Sequence, residues 1–266
     1  MILEIIYAVV ALGSMGLVFG LLLAGASKYL SVEQDERVPQ IIEALPGANC
    51  GGCGYAGCSA FAQAVAEGKA PANGCPVGGT KSSFKIADIM GVKPQPTDSR
   101  VAFVLCGGSC GHTKKDYEYE GIDDCIAANN LGGGQNACKY SCLGFGTCVR
   151  QCQFGAIEII DDIARINPKK CVSCGKCVLS CPKGIIQLVP KKAEYIVKCS
   201  SKDKGSAMKS KCDVGCIACR ICEKACPTGA ITVNDNLAKI DYSKCTNCGI
   251  CAEKCPKKII HKNKLQ

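Results

Sequence analysis

Three times between Cys171 and Pro256 the chain spaces four cysteines as C-x2-C-x2-C-x3-C and follows them with proline. The runs are Cys171, Cys174, Cys177 and Cys181; Cys216, Cys219, Cys222 and Cys226; and Cys245, Cys248, Cys251 and Cys255. Three thiolates at this spacing wrap one [4Fe–4S] cubane, and the fourth, ahead of the proline, reaches across to the cubane of a partner run. A zinc ribbon instead needs two C-x2-C pairs separated by a longer loop. Cysteines so crowded cannot all pair as disulfides in acceptable geometry. The spacing therefore predicts one cluster on Cys216, Cys219, Cys222 and Cys255, and its partner on Cys245, Cys248, Cys251 and Cys226.

The chain also repeats itself. At an offset of 74 residues Cys148, Cys152, Cys171, Cys174, Cys177 and Cys181 fall on Cys222, Cys226, Cys245, Cys248, Cys251 and Cys255, and Gly155-Ala156-Ile157 falls on Gly229-Ala230-Ile231. The same register pairs Cys142 with Cys216, Cys138 with Cys212, and Cys125 with Cys199. Such self-similarity means a duplicated unit, here two cysteine runs joined by short β-branched stretches and turn residues. The upstream copy departs from the pattern at Phe145, which takes the place of Cys219, and Cys152 lacks the following proline. A cubane there keeps four ligands if Cys138 supplies the missing thiolate. The expected sets are Cys138, Cys142, Cys148 and Cys181 for one cluster, and Cys171, Cys174, Cys177 and Cys152 for the other.

A different run, Cys50-x2-Cys53-x4-Cys58-x16-Cys75, lies upstream, with four glycines between Gly51 and Gly57. Those glycines allow a tight wrap around a bulky cluster, and the helix-like stretch Ala60–Glu67 carries the chain to the fourth ligand. Four thiolates are also a structural zinc set; beside the other runs iron–sulfur is the better reading. Cys106, Cys110, Cys125, Cys199 and Cys212 are left over. Val101–Leu105 and Tyr195–Lys198 read as short strands; if they pair with one another, Cys106 and Cys199 meet, with Cys125 and Cys212 nearby, and a sixth cluster becomes feasible. Buried free thiols are the plainer alternative.

With 25 cysteines, no Trp and only eight Tyr and six Phe in 266 residues, apolar packing cannot hold this chain alone. Folding and cluster insertion are expected to be coupled. The formal charge of +9 counts every thiol as neutral; six oxidised clusters at about −2 each would leave roughly −3. Much of the lysine thus offsets cluster charge, while Lys257, Lys258, Lys262 and Lys264 are free to steer an acidic protein. Nothing suggests nucleic-acid binding. His112 and His261 stand outside any catalytic-looking group. No G-x-G-x-x-G follows a strand, so neither a flavin nor an NAD site is expected.

From Ile5 to Ser27 no charged side chain occurs. At about 1.5 Å per residue the stretch covers the roughly 30 Å of a bilayer core. Lys28 and Arg37 follow it and no Lys or Arg precedes it, which places the rest of the chain in the cytoplasm. Ala24-Gly25-Ala26 resembles a signal cleavage site, but the positive n-region is missing. Gly16 and Gly20 form a GxxxG face on which a partner helix could approach.

The apolar span, the Cys-Gly-Gly-Cys-Gly-Tyr-Ala-Gly-Cys stretch Cys50–Cys58 and the paired runs, in this order, resemble the B subunit of the Rnf complex in its extended, multi-cluster form. The resemblance covers nearly the whole chain. It implies an electron-transfer component of a membrane-bound, ion-translocating ferredoxin:NAD+ oxidoreductase. Such a component takes electrons from reduced soluble ferredoxin and relays them through [4Fe–4S] clusters to other subunits, coupled to Na+ or H+ transport. NAD+ reduction then belongs to a separate flavin subunit. A polyferredoxin shuttle for a membrane hydrogenase or reductase, without ion pumping, is the rival function, and a redox-inert scaffold is a third. The expected class is α+β: a transmembrane anchor (1–30), a small [4Fe–4S] domain (31–90), a connecting segment with extra cysteines (91–135), a ferredoxin-like unit (136–190), a linker (191–210) and a second such unit (211–266). Residues 202–211 read as a turn.

Overall fold

The computed structural model describes residues 2–29, 35–95, 99–108 and 111–263. Cys110, one of the left-over cysteines, and Lys264, one of the steering lysines, lie outside them. Helix α1 (Ile2–Tyr29) carries the apolar stretch Ile5–Ala26, of mean hydropathy 2.3. Its described side chains are exposed on every face, Leu12 at 68% and Leu23 at 70%. A helix apolar all round with nothing from its own chain against it is built for lipid or for other helices. Among the described residues no other helix is long and apolar enough to cross a membrane.

Three short helices, α2 (Arg37–Ala44), α3 (Cys58–Ala66) and α4 (Gly79–Ile89), make the next domain. Each sets one fully buried side chain into a common core, Ile41, Phe61 and Ile86 respectively. Each such burial is worth about 1.5–3 kcal/mol. Tyr55 meets Phe61 edge to face, with centroids 5.6 Å apart. That contact ties the glycine-rich loop, where Cys50 and Cys53 sit, to the helix that begins at Cys58.

The remainder is two copies of one plan. In the first, β1 (Arg100–Val104) pairs antiparallel with β4 (Ile186–Pro190), and β2 (Ile157–Ile160) pairs with β3 (Ile163–Ile166). In the second, β5 (Tyr195–Val197) pairs with β8 (Ile260–Lys262), and β6 (Ile231–Asn234) with β7 (Leu237–Ile240). The inner hairpins turn on Asp161-Asp162 and Asp235-Asn236, all four left-handed with φ of 51°, 61°, 49° and 60°. Two such residues in a row make the hairpin turn whose twist suits the flanking strands, and Asp and Asn tolerate it best after glycine. Ile157, Ile163 and Ala164, and their counterparts Ile231, Leu237 and Ala238, are buried and form the walls on which the cysteines rest.

Six helices complete the two copies: α5 (Cys125–Asn130), α6 (Thr147–Gln151) and α7 (Lys176–Ser180), then α8 (Gly205–Lys211), α9 (Ile221–Lys224) and α10 (Ile250–Glu253). The strands expected at Val101–Leu105 and Tyr195–Lys198 both exist, but they do not pair with each other. Each closes the sheet of its own unit, because the antiparallel partner that buries its apolar face is the strand after its own last cysteine run. Segment 91–135 therefore contributes β1 and α5 to the first unit, and 191–210 contributes β5 to the second. Residues 202–211 are not a plain turn. Met208, 1% exposed, pins α8 against Cys138 and Cys212, and this tertiary contact outweighs the weak helix propensity of Gly205 and Ser206.

Candidate metal centres

Each C-x2-C-x2-C run bends through the same two left-handed residues. They are Ser173 and Gly175 (φ 64° and 76°), Ala218 and Arg220 (54° and 59°), and Asn247 with Gly249 (58° and 80°). These turns swing the first three cysteines of a run onto one side, and a one-turn helix then lifts the fourth away. The same turns occur at Gly144 and Gly146 (φ 81° and 71°). The wrap survives although Phe145 replaces the middle cysteine; the Phe145 ring packs on Tyr119 instead, centroids 5.1 Å apart.

Cys216, Cys219, Cys222 and Cys255 line one void, and Cys152, Cys171, Cys174 and Cys177 another. A third is lined by Cys125, Cys142, Cys148 and Cys181. The three are nearly equal in size, about 320, 350 and 340 Å³ with their mouths included. The charges nearest Cys251 are Cys245, Cys226 and Cys248, a fourth group. Near the N-terminus Cys75 faces Cys53 and Cys58, while Cys50, in the same loop, acts on Cys174.

The grouping expected from spacing differs from the observed one at two residues. Cys125, not Cys138, joins Cys142, Cys148 and Cys181. Asp124 explains why. Its carboxylate caps α5, accepting from the Ile126 and Ala127 N–H groups at 2.8 and 3.1 Å. It also accepts from Thr147 Oγ1 at 2.8 Å and from Arg150 Nη2 at 2.7 Å, both on α6. The Thr147 hydroxyl in turn accepts from the Cys125 N–H at 2.8 Å. These bonds, Thr147 first, hold the Asp124 carboxyl at about 2, and together they fix Cys125 beside Cys148.

Cys138 lies elsewhere. It packs with Cys212 beneath Met208 and also faces Cys199 and Cys106. Ser200 Oγ donates to the Leu105 carbonyl at 2.8 Å, joining the two strand ends from which Cys106 and Cys199 emerge. Thr113 and Cys212 form a backbone bridge. A sixth group thus consists of Cys106, Cys138, Cys199 and Cys212, with two thiols from each unit. One pattern in the sequence points to it: Val104-Leu105-Cys106 and Val197-Lys198-Cys199 are both a strand end followed by cysteine.

The groups approach one another in series. Cys50 acts on Cys174, Cys177 on Cys148, Cys142 on Cys106, and Cys216 on Cys199. The Cys216 N–H donates to Cys199 Sγ at 3.3 Å. Gly52 lies so close to the carbonyl of Cys174 that an added Cβ would stand 2.7 Å from its oxygen, so the first link excludes any side chain there.

The described cysteines are all unbridged. Burial pushes the thiols of Cys106, Cys148 and Cys177 up to about 12, and those of Cys199 and Cys222 to about 11; neighbouring thiolates add to the rise at all five. Four such thiols around a void are a costly arrangement unless a cationic centre takes their negative charge. Among the described residues no three Cys, His, Asp or Glu groups close on a point as a single metal ion requires. A group that fills a void between thiolates, as a [4Fe–4S] cluster does, fits this donor set better than one zinc ion.

Comparison with known proteins agrees. A family model for an Fe–S cluster domain matches residues 45–77, one for a 4Fe–4S binding domain residues 164–187, and one for a 4Fe–4S dicluster domain residues 215–259. The B subunit of the ion-translocating oxidoreductase complex of Methanosarcina acetivorans is 44% identical over 96% of this chain and 97% of its own length. The chain belongs to the family of Rnf B subunits. Two more members agree along nearly all of the chain. The B subunit of the Na(+)-translocating ferredoxin:NAD(+) oxidoreductase complex of Acetobacterium woodii is 47% identical over 94% of this chain and 75% of its own. The proton-translocating counterpart of Clostridium ljungdahlii is 43% identical over 95% and 90%. As an Rnf B subunit the chain is an iron–sulfur electron-transfer component of a membrane oxidoreductase complex.

Proposed function

We propose that this chain takes electrons from reduced ferredoxin on the cytoplasmic side and passes them along six [4Fe–4S] sites to partner subunits that reduce NAD+ and move Na+ or H+. Bound clusters supply low-potential one-electron storage. The chain's own residues do the rest. The ligand sets are Cys50, Cys53, Cys58 and Cys75; Cys152, Cys171, Cys174 and Cys177; Cys125, Cys142, Cys148 and Cys181; Cys106, Cys138, Cys199 and Cys212; Cys216, Cys219, Cys222 and Cys255; and Cys226, Cys245, Cys248 and Cys251. The working units are then 100–190 and 195–262. Hairpins β2–β3 and β6–β7 keep water off the thiolates, and backbone N–H groups such as those of Ala156 and Gly78, 3.4 and 3.3 Å from Cys152 and Cys75 Sγ, moderate their charge. Helix α1 anchors the chain in the bilayer and offers its small-residue face, Gly16 and Gly20, to a neighbouring helix.

The observation that carries this reading is the succession of thiol groups from Cys50 to Cys216, each within electrostatic reach of the next, with the Cys226, Cys245, Cys248 and Cys251 group in the same unit as the last. A scaffold needs no such series. Anaerobically purified protein should contain about 24 iron and 24 sulfide per chain, and reduced ferredoxin should bleach its visible absorbance. Material with zinc, or with iron that ferredoxin cannot reduce, would defeat the proposal. Co-purification with a flavin subunit and multi-span subunits separates the pump from a simple shuttle.

A further inference from the structure

Between the two ferredoxin-like units lies a cleft of about 440 Å³. Gly107, His112 and Arg165 come to it from the first unit, and Lys198, Asp213, Lys257, Lys258 and His261 from the second. Four basic side chains and two histidines thus face a single carboxylate, that of Asp213. Among the described residues none of Arg165, Lys198, Lys257 and Lys258 makes an ion pair.

At Lys258 and His261 this charge is not required by the thiolates behind it, because the duplicated unit manages without it there. At the offset of 74, Lys258 corresponds to Gly184 and His261 to Gln187. Lys257 corresponds to Lys183, whose ammonium is occupied inside the fold, donating to the carbonyls of Gly133 and Lys139, the latter at 2.8 Å. The first unit surrounds an equivalent four-thiol void with no free cations at those positions. In the second unit Lys258 and His261 are exposed and line the cleft, and Lys257 lines both the cleft and the void of Cys216, Cys219, Cys222 and Cys255.

The cleft also stands over two thiol groups at once. Gly107, Lys198 and Asp213 adjoin Cys106, Cys199 and Cys212, and Lys257 follows Cys255 by two residues. We infer that this cleft is the docking port for the acidic face of a soluble electron-carrier protein. The inference rests on the proposed ferredoxin donor and adds where that donor sits. On docking, one electron leaves the reduced carrier, which is oxidised, and enters a site behind the cleft wall; no bond or proton changes hands. Attraction between cations and carboxylates raises the encounter rate more than it deepens binding, and salt suppresses it.

The test is stopped-flow reduction of the full chain, cluster-loaded in detergent, by a reduced 2[4Fe–4S] ferredoxin. The variant Lys257→Glu/Lys258→Glu should react roughly tenfold or more slowly at low salt, and the gap should close near 1 M, where charges are screened within about 3 Å. Lys81→Glu/Lys85→Glu, on exposed positions of α4, should match the parent, as should reduction of every variant by dithionite. Should the first variant lose iron, Lys258→Glu/His261→Glu replaces it. Equal rates with ferredoxin at low salt, or a parental rate indifferent to salt, would overturn the port. A parent that dithionite reduces and ferredoxin does not would instead remove the ferredoxin donor itself.

Discussion

The two ferredoxin-like units share their hairpins, helices and turns, yet they furnish one thiol group differently. In the second unit Cys216, Cys219 and Cys222 come from a single run, with Cys255 from the other. In the first, Phe145 interrupts the run, and the helix α5 brings Cys125 from twenty residues upstream of Phe145. The left-handed turns at Gly144 and Gly146 persist regardless. The wrap is therefore a property of backbone conformation, and the sulfur is interchangeable provided something else anchors its replacement. Here that anchor is the Asp124–Thr147–Arg150 network, and the second unit has Ile221 where the first has Thr147.

Cysteine deletions probe this contrast most severely. Cys125→Ser and Cys125→Ser/Cys142→Ser should each lose roughly four iron atoms, because both residues serve one site, whereas Cys138→Ser/Cys142→Ser should lose roughly eight. Iron analysis decides; a loss of only four from the last pair would restore the grouping by spacing. In the hairpins, Ile163→Ala, at a fully buried position, should cost about 2–5 kcal/mol, and Leu237→Ala, its counterpart at 7% exposure, less within that range. Urea midpoints of the loaded protein measure both. Thr147→Val leaves the Cys125 N–H without its acceptor and should cost about 1–2 kcal/mol. Ile221→Val, at a 42% exposed side chain, should stay below about 0.5 kcal/mol. The smallest effect concerns Arg220, left-handed at φ 59° where its three counterparts are glycines. Arg220→Gly should gain up to about 1 kcal/mol, seen as a slightly higher Tm.

The sequence was most legible where spacing and chemistry coincide. The regular runs, the hairpins, α3 and the apolar α1 all sit where periodicity and turn residues put them. What escaped was long-range. The ungapped offset of 74 aligns Cys199 with Cys125, but the strand ends align it with Cys106, 93 residues away. The first unit therefore holds 19 extra residues between β1 and α5, and an insertion of that kind misleads any fixed register upstream of it. The partners of β1 and β5 were hidden for the same reason, since strand pairing across more than 60 residues leaves no local mark. Helix α8 was invisible because its stability lies in one buried methionine, not in its own composition.

The group formed by Cys106, Cys138, Cys199 and Cys212 has a consequence for the chain's biosynthesis. Two of its thiols leave the ribosome long before the other two, so the first unit must wait, with an unfinished clasp, for the second to arrive. Neither copy, expressed alone, could close it. Each copy thus depends on the other for half of the thiols of this joint, which belongs to neither alone.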